Sequence, residues 1–218
     1  MVLRRVCGLV AAVLTLGALV TARPAWAGPP TEQLRAQMDR VIKVLEDPEL
    51  KRDGRQAERR AAIRRLANDI FDFPESSRRS LGPHWNARTP AEREQFVKLY
   101  ADLLERSYID KIEMYSGERI QFVGETIERN HATVRTRLVT KAGTETPVDY
   151  RMHRVGDRWL TYDVNIEGVS MVANYRAQFN KIIQASGYAS LVSKLTEKQE
   201  QGIEADRDGS IRKASQTK

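Results

Sequence analysis

Cysteine is nearly absent from this chain: the only one in 218 residues is Cys7. It stands at the start of an uncharged apolar run, Val6 to Val20, whereas a lipid-modified cysteine would stand at the end of such a run. Beyond that run disulfides, thiolate catalysis and cysteine-held metals are excluded, and stability must come from packing. Histidine is scarce too. His84, His131 and His153 have no metal-binding spacing, no H-E-x-x-H occurs, and His153 belongs to the polar face of its strand. Gly168-Val169-Ser170 begins like a nucleophile elbow, but Val172 stands where the second glycine belongs, and Ser170 is placed to cap a helix. Glu204 to Gly209 imitates half of a calcium-binding loop, with Ser215 where a bidentate glutamate is needed. Neither a phosphate-cradling glycine loop nor an internal repeat is visible. No cofactor is expected, and no catalytic constellation emerges.

What is present begins with an address. Arg4 and Arg5 precede the apolar run, and Ala25-Trp26-Ala27 follows it as a small-x-small cleavage site. The run is too short for a membrane span, so residues 1–27 read as a cleavable secretory signal peptide. Cleavage leaves 191 residues, enough for one domain with a sizeable core. It also removes three arginines and no acid, lowering the net charge from +7 to +4. The surplus is spread along the chain without a basic stripe interleaved with aromatics, so no nucleic-acid partner is expected.

Helical periodicity fills the first half. Leu34, Met38, Val41, Ile42 and Leu45 share one face of a helix from Thr31 to Glu46. Gln56 to Phe71 places Ile63, Leu66, Ala67 and Ile70 inward and Arg59, Arg60, Arg64 and Arg65 outward. Phe73-Pro74 ends it, and a short helical turn over Glu75 to Leu81 follows. Thr89-Pro90-Ala91-Glu92 is a capping box with proline at the first helical position. The helix it starts carries Phe96, Leu99, Tyr100, Leu103, Leu104 and Tyr108 on one broad face.

The second half switches to period two. A strand at Ile120 to Ile127 is followed by three more, centred on Val134-Thr136-Leu138, Val148-Tyr150-Met152 and Leu160-Tyr162-Val164-Ile166. Short loops holding Gly143 and Gly156 make them antiparallel. Asp149, Asp163, Arg135, Arg137 and Arg151 form a charge ladder on the solvated face. After Glu167-Gly168 a helix carries Val169, Val172, Tyr175 and Phe179, Gly187 breaks it, and Tyr188, Leu191 and Leu195 form a last amphipathic piece. From Glu197 to Lys218 apolar residues nearly vanish, which predicts a disordered charged tail behind a domain spanning 28–196. The apolar layer between helices and sheet is either a filled core or a core opened into a ligand cavity; the residues alone fit both.

Several blocks resemble the MlaC family, the toluene-tolerance-type periplasmic phospholipid carriers of Gram-negative intermembrane lipid transport. They run from Phe71-Asp72-Phe73 to Leu81-Gly82, from Thr89-Pro90-Ala91-Glu92 to Phe96, and from Tyr108 to Tyr115-Ser116-Gly117. More specific are Trp159-Leu160-Thr161-Tyr162-Asp163-Val164, Glu167-Gly168-Val169-Ser170-Met171-Val172 and Tyr175-Arg176-Ala177-Gln178-Phe179, in register over a stretch that extends from about Thr31 to Lys194. The resemblance implies an α+β fold related to the NTF2-like folds: a twisted antiparallel sheet of about four strands, covered by several helices, with an apolar pocket between. It implies a monomeric, non-enzymatic carrier with phospholipid as cargo. Its partners would be an inner-membrane MCE-domain/ABC transporter complex and an outer-membrane lipoprotein complex. The long charged tail and the Arg-rich second helix depart from the family pattern. A hopanoid-associated branch shares the same blocks. An NTF2-like cavity enzyme would need a buried Asp-His or Tyr-Asp pair, and an adaptor or chaperone would show an exposed apolar groove.

The pocket is expected to be lined by inward positions of the capped helix, the sheet and the returning helix: Tyr100, Leu103, Leu104, Leu138, Tyr150, Leu160, Tyr162, Val164, Val169, Val172 and Tyr175. At about 0.8 kcal/mol per methylene, two acyl chains of about thirty methylenes cost roughly 24 kcal/mol to expose to water, so a carrier must enclose them.

Overall fold

A computed structural model describes residues 28–216, with side chains to residue 204. The expected signal peptide lies outside the described residues. The order of elements is α1 (Pro29–Glu46), α2 (Gln56–Ile70), α3 (Phe73–Leu81), a 3-10 turn (Gly82–Trp85) and α4 (Pro90–Glu113). Then come β1 (Arg119–Glu128), β2 (His131–Val139), β3 (Glu145–Val155), β4 (Arg158–Ile166), β5 (Val169–Ser170) and α5 (Met171–Gln216). The strands form one antiparallel sheet in the order β1-β2-β3-β4-β5, so the fold is α+β, as the sequence predicts.

Local chemistry sets the helix starts. Thr89 and Glu92 form the complete capping box at α4. Asp72 caps α3 by accepting from the Glu75 amide at 2.8 Å. The cap of α1 comes from the sheet: Glu125 on β1 accepts from the Thr31 amide at 3.1 Å and the Thr31 hydroxyl at 2.7 Å. Gly28 leaves room for that carboxylate, with which any Cβ would collide.

Three features differ from the sequence reading. The Glu167-Gly168 turn joins a fifth, two-residue strand, with Ile166 opposite Val169 and Asn165 opposite Ser170. Both turn residues have positive φ, 53° and 86°, the geometry that a two-residue hairpin loop demands. The helix therefore begins at Met171, and Ser170 caps it by accepting from the Ala173 amide at 3.0 Å. Second, β4 carries a bulge: Met152 faces Thr161 while Arg151 faces Asp163, so Tyr162 is the extra residue. Third, the tail predicted to be disordered from Glu197 is helical as far as Gln216. Few apolar residues preclude a packed core there but not a helix. Glu197 to Gln201 are strong helix formers, contain no proline and extend a helix already nucleated.

The apolar side chains gather in three clusters. One joins α3, α4 and α5 through Leu81, Phe96, Tyr100, Phe179, Leu191 and Leu195. The Phe179 ring meets those of Phe96 and Tyr100 edge to face at 5.5–5.6 Å between centroids, and Phe96 and Tyr100 stack on each other. A second sets Leu34 of α1 and Ile70 of α2 on Ala132, Val134, Met152 and Trp159 of the sheet. The third is small: Leu45, Ile63 and Ile109 join α1, α2 and α4. Between these clusters the interior is open.

Candidate functional site: an apolar cavity between helices and sheet

The apolar face of the sheet is divided along its length. At one end Ala132, Val134, Met152 and Trp159 are covered by Leu34 and Ile70. At the other end Ile120, Leu138, Val148, Tyr150, Val164 and Ile166 line a cavity of about 1540 Å³. The register brings them together: Ile120 is opposite Leu138, Tyr150 opposite Val164, and Val148 opposite Ile166. The same division holds on α1, where Leu34 packs in the core while Met38, Val41, Ile42 and Leu45 border the cavity. Ile63 and Ala67 of α2, and Tyr100, Leu104, Tyr108, Ile109 and Ile112 of α4, complete the walls. The lining is overwhelmingly apolar.

Seven of the eleven expected residues border this cavity: Tyr100, Leu104, Leu138, Tyr150, Tyr162, Val164 and Val172. Four do not. Leu103 and Tyr175 pack into the α3–α4–α5 cluster, where the Tyr175 ring meets Tyr100 at 5.3 Å. Leu160 is paired with His153 on the other sheet face, because the bulge at Tyr162 reverses the alternation before it. Val169 lies on β5 and is 60% exposed. Tyr162 itself is shared between faces: it borders the cavity, yet its ring lies against His131 and His153 at 6.1 and 5.7 Å, with the Arg79 guanidinium 4.0 Å above it. The α1 and α2 positions are recognisable in the sequence as inward helix faces, but nothing in their spacing distinguishes covering a sheet from spanning a void.

Ion pairs tie the two helices that flank the opening. Glu113 of α4 accepts from Arg59 at 3.0 Å and Arg60 at 2.9 Å, Arg60 also reaches Asp110 at 2.6 Å, and Arg64 pairs with Glu105. Arg59 and Arg60 are thus committed to α4 and do not point freely outward as the helical pattern predicts. Around the mouth stand Lys98, Arg106 and Lys111 together with Asp102 and Glu105, so the rim carries both signs of charge. Met114, 70% exposed, and Ile112 add apolar surface there.

The polar groups within the walls are held structurally. Asp163, only 3% exposed, accepts from the Ser170 hydroxyl at 2.6 Å, the Val172 amide at 3.0 Å and the Arg151 guanidinium at 3.2 Å. The Tyr100 hydroxyl accepts from Ser80 at 2.9 Å, and burial pushes its ionisation well above the ordinary phenol range. Tyr150 is part-buried and borders the cavity, and burial pushes it up to about 12. Both phenols stay neutral at any physiological pH. Among the described residues Asp163 is the one buried carboxylate of the cavity wall, and both of its oxygens are hydrogen-bonded. The His153–Asp72 pair, at 2.9 Å, does not border the cavity.

Comparison with known proteins agrees with this architecture. A solved structure, a phospholipid-binding protein of Ralstonia solanacearum in complex with a phospholipid, superimposes with a TM-score of 0.69 at 21% identity, covering 80% of this chain and 98% of that one. In sequence, the intermembrane phospholipid transport system binding protein MlaC of Haemophilus influenzae is 26% identical over 146 residues, 63% of this chain and 68% of its own. These relatives are named as lipid-binding or lipid-transport proteins, not as enzymes. The family model described as MlaC protein matches residues 35–197, which is most of the chain. The chain belongs to the MlaC family.

Proposed function

We propose that the protein is a soluble periplasmic phospholipid carrier that shuttles lipid between the inner and outer membranes as one component of an ABC-type lipid transport system. The observation that carries this reading is the cavity. At about 1540 Å³ it exceeds the ~300–1,000 Å³ of ordinary small-molecule sites, and its walls are hydrocarbon. Such a void left to water is unfavourable, and acyl chains are the ligand whose transfer into it gains most. The head group stays at the rim, where Arg64, Lys98, Arg106 and Lys111 stand together with Asp102 and Glu105.

The carrier picks up and delivers its cargo through larger assemblies: an inner-membrane MCE-domain/ABC transporter complex and an outer-membrane lipoprotein complex. An N-terminal signal peptide takes it to the periplasm, where it works as a monomer. The competing enzyme reading needs a buried acid free to exchange protons, and Asp163 is already tied to Ser170, Val172 and Arg151. Organic extraction of protein purified from its native membranes' periplasm, followed by mass spectrometry, tests the proposal. Diacyl glycerophospholipid is the expected extract. Hopanoid in its place would move the chain to the hopanoid-associated branch, and a lipid-free extract from folded protein would contradict the carrier reading.

A further inference from the structure

The family match ends at residue 197, yet α5 continues to Gln216. The first of these extra turns, as far as Ile203, lie against the domain. Gly187, with φ 80° and ψ 168°, breaks α5 and lays its second half along α4. Tyr188 donates its hydroxyl to the Glu92 carbonyl at 3.2 Å, and Leu191 and Leu195 join Phe96 and Leu99 in one cluster. Fourteen residues after Tyr188, Gly202 meets Arg106, fourteen residues after Glu92. The two helices therefore run side by side in the same direction, in step. A Cβ at Gly202 would meet the Arg106 guanidinium, the mobile end of that side chain, so the two helices lie close together here. Arg106 is in turn held by Asp102 at 3.0 Å.

This path brings Gln199 and Ile203, one helical turn apart on one face, to the edge of the cavity. Ile203 is 42% exposed, although the segment around it is almost wholly polar. Ile203 borders the cavity, so its exposed surface is continuous with the apolar lining. We propose that the stretch of α5 beyond residue 197 forms a chain-specific wall of the cargo site, in which Ile203 contacts the acyl chains and slows their exit. This rests on the phospholipid reading above. The segment then governs how long cargo is held, while the cavity proper governs whether it is taken up.

The test uses the full chain, a version ending at Glu197, and the full chain with Ile203→Asp. Each is loaded from vesicles containing a fluorescent diacyl phospholipid, and release to unlabelled acceptor vesicles is followed by stopped flow. All three are expected to load. Release should be about tenfold faster from the shortened chain and from Ile203→Asp, since one side chain's worth of apolar contact is lost and such losses appear mainly in the off-rate. Melting temperatures of the lipid-free proteins should agree. Equal release rates across the three would overturn the inference while leaving the carrier reading intact. If the shortened chain does not fold, the Ile203→Asp rate decides alone. Failure of the full chain to load would overturn the phospholipid reading, and this inference with it.

Discussion

The Asp163 carboxylate accepts the Val172 amide proton at 3.0 Å, across the hairpin that joins β4 to the start of α5. It thereby satisfies one of the amides that a helix N-terminus leaves open, and its negative charge complements the dipole of α5. Ser170 and Arg151 hold the other oxygen. This contact sets where α5 leaves the sheet and so closes one corner of the cavity. Asp163→Asn keeps the shape but loses the charge-assisted bonds, and should lower stability by about 2 kcal/mol. A urea midpoint shift at constant slope would show it; an unchanged midpoint would contradict the role given to Asp163.

Enlarging a side chain separates cavity from core. Leu138 is half-buried and borders the void, so Leu138→Trp has room to extend into it. Bound lipid should fall several-fold with little loss of stability. Val172 borders the cavity too but is almost fully packed, so Val172→Trp should lose lipid and also about 1–3 kcal/mol. Val169→Trp, on the exposed β5 position, should alter neither. Lipid content and melting temperature measured on the three variants check this pattern, and loss of lipid in Val169→Trp would contradict the assignment of walls.

Glu113 is the shared acceptor for Arg59 and Arg60, and its side chain is nearly buried. Glu113→Ala leaves two half-buried guanidinium groups without that partner and should cost about 2–3 kcal/mol. Hydrogen exchange should accelerate first in α2, because these pairs hold it against α4. Uniform acceleration across the protein would mean that α2 is not separately anchored.

Acid should weaken the α3 region. Burial on its own raises the Glu75 carboxyl, but hydrogen bonds and charge from Arg78 and Arg79 hold it down to about 2, against 4.5 in the free side chain. A carboxyl depressed in the folded state binds its proton more readily when unfolded. Its contribution is therefore complete above pH 4.5 and fades as pH falls toward 2. Arg78 is half exposed, which screens the pair and limits the contribution to about 1 kcal/mol. Glu75→Gln should flatten that part of the stability curve; a slope unchanged by the substitution would show that other groups produce it.

The sequence shows some of these elements directly and hides others for physical reasons. The Thr89–Glu92 box, the Ser170 cap and the break at Gly187 depend on neighbours in the chain, and each is found as expected. Leu160 and Val169 are misplaced by strict alternation, because a bulge at Tyr162 and a two-residue strand change faces without a compositional signal. The helix beyond Glu197 is hidden because low apolar content reports on packing, not on helicity. The cavity is hidden most deeply. Met38 and Leu34 share the same helical stripe, and only the spacing of α2 and α4 from the sheet makes one a wall and the other core.

If the protein carries phospholipid, the space between Leu138, Val164 and Tyr100 is a lipid site and not a vacant packing defect. Native mass spectrometry of the protein as purified, without detergent, tests it most directly. The expected result is a folded species heavier than the bare chain by the mass of one or more phospholipids, released as intact lipid on collisional activation. A folded sample consisting only of the bare chain would contradict it.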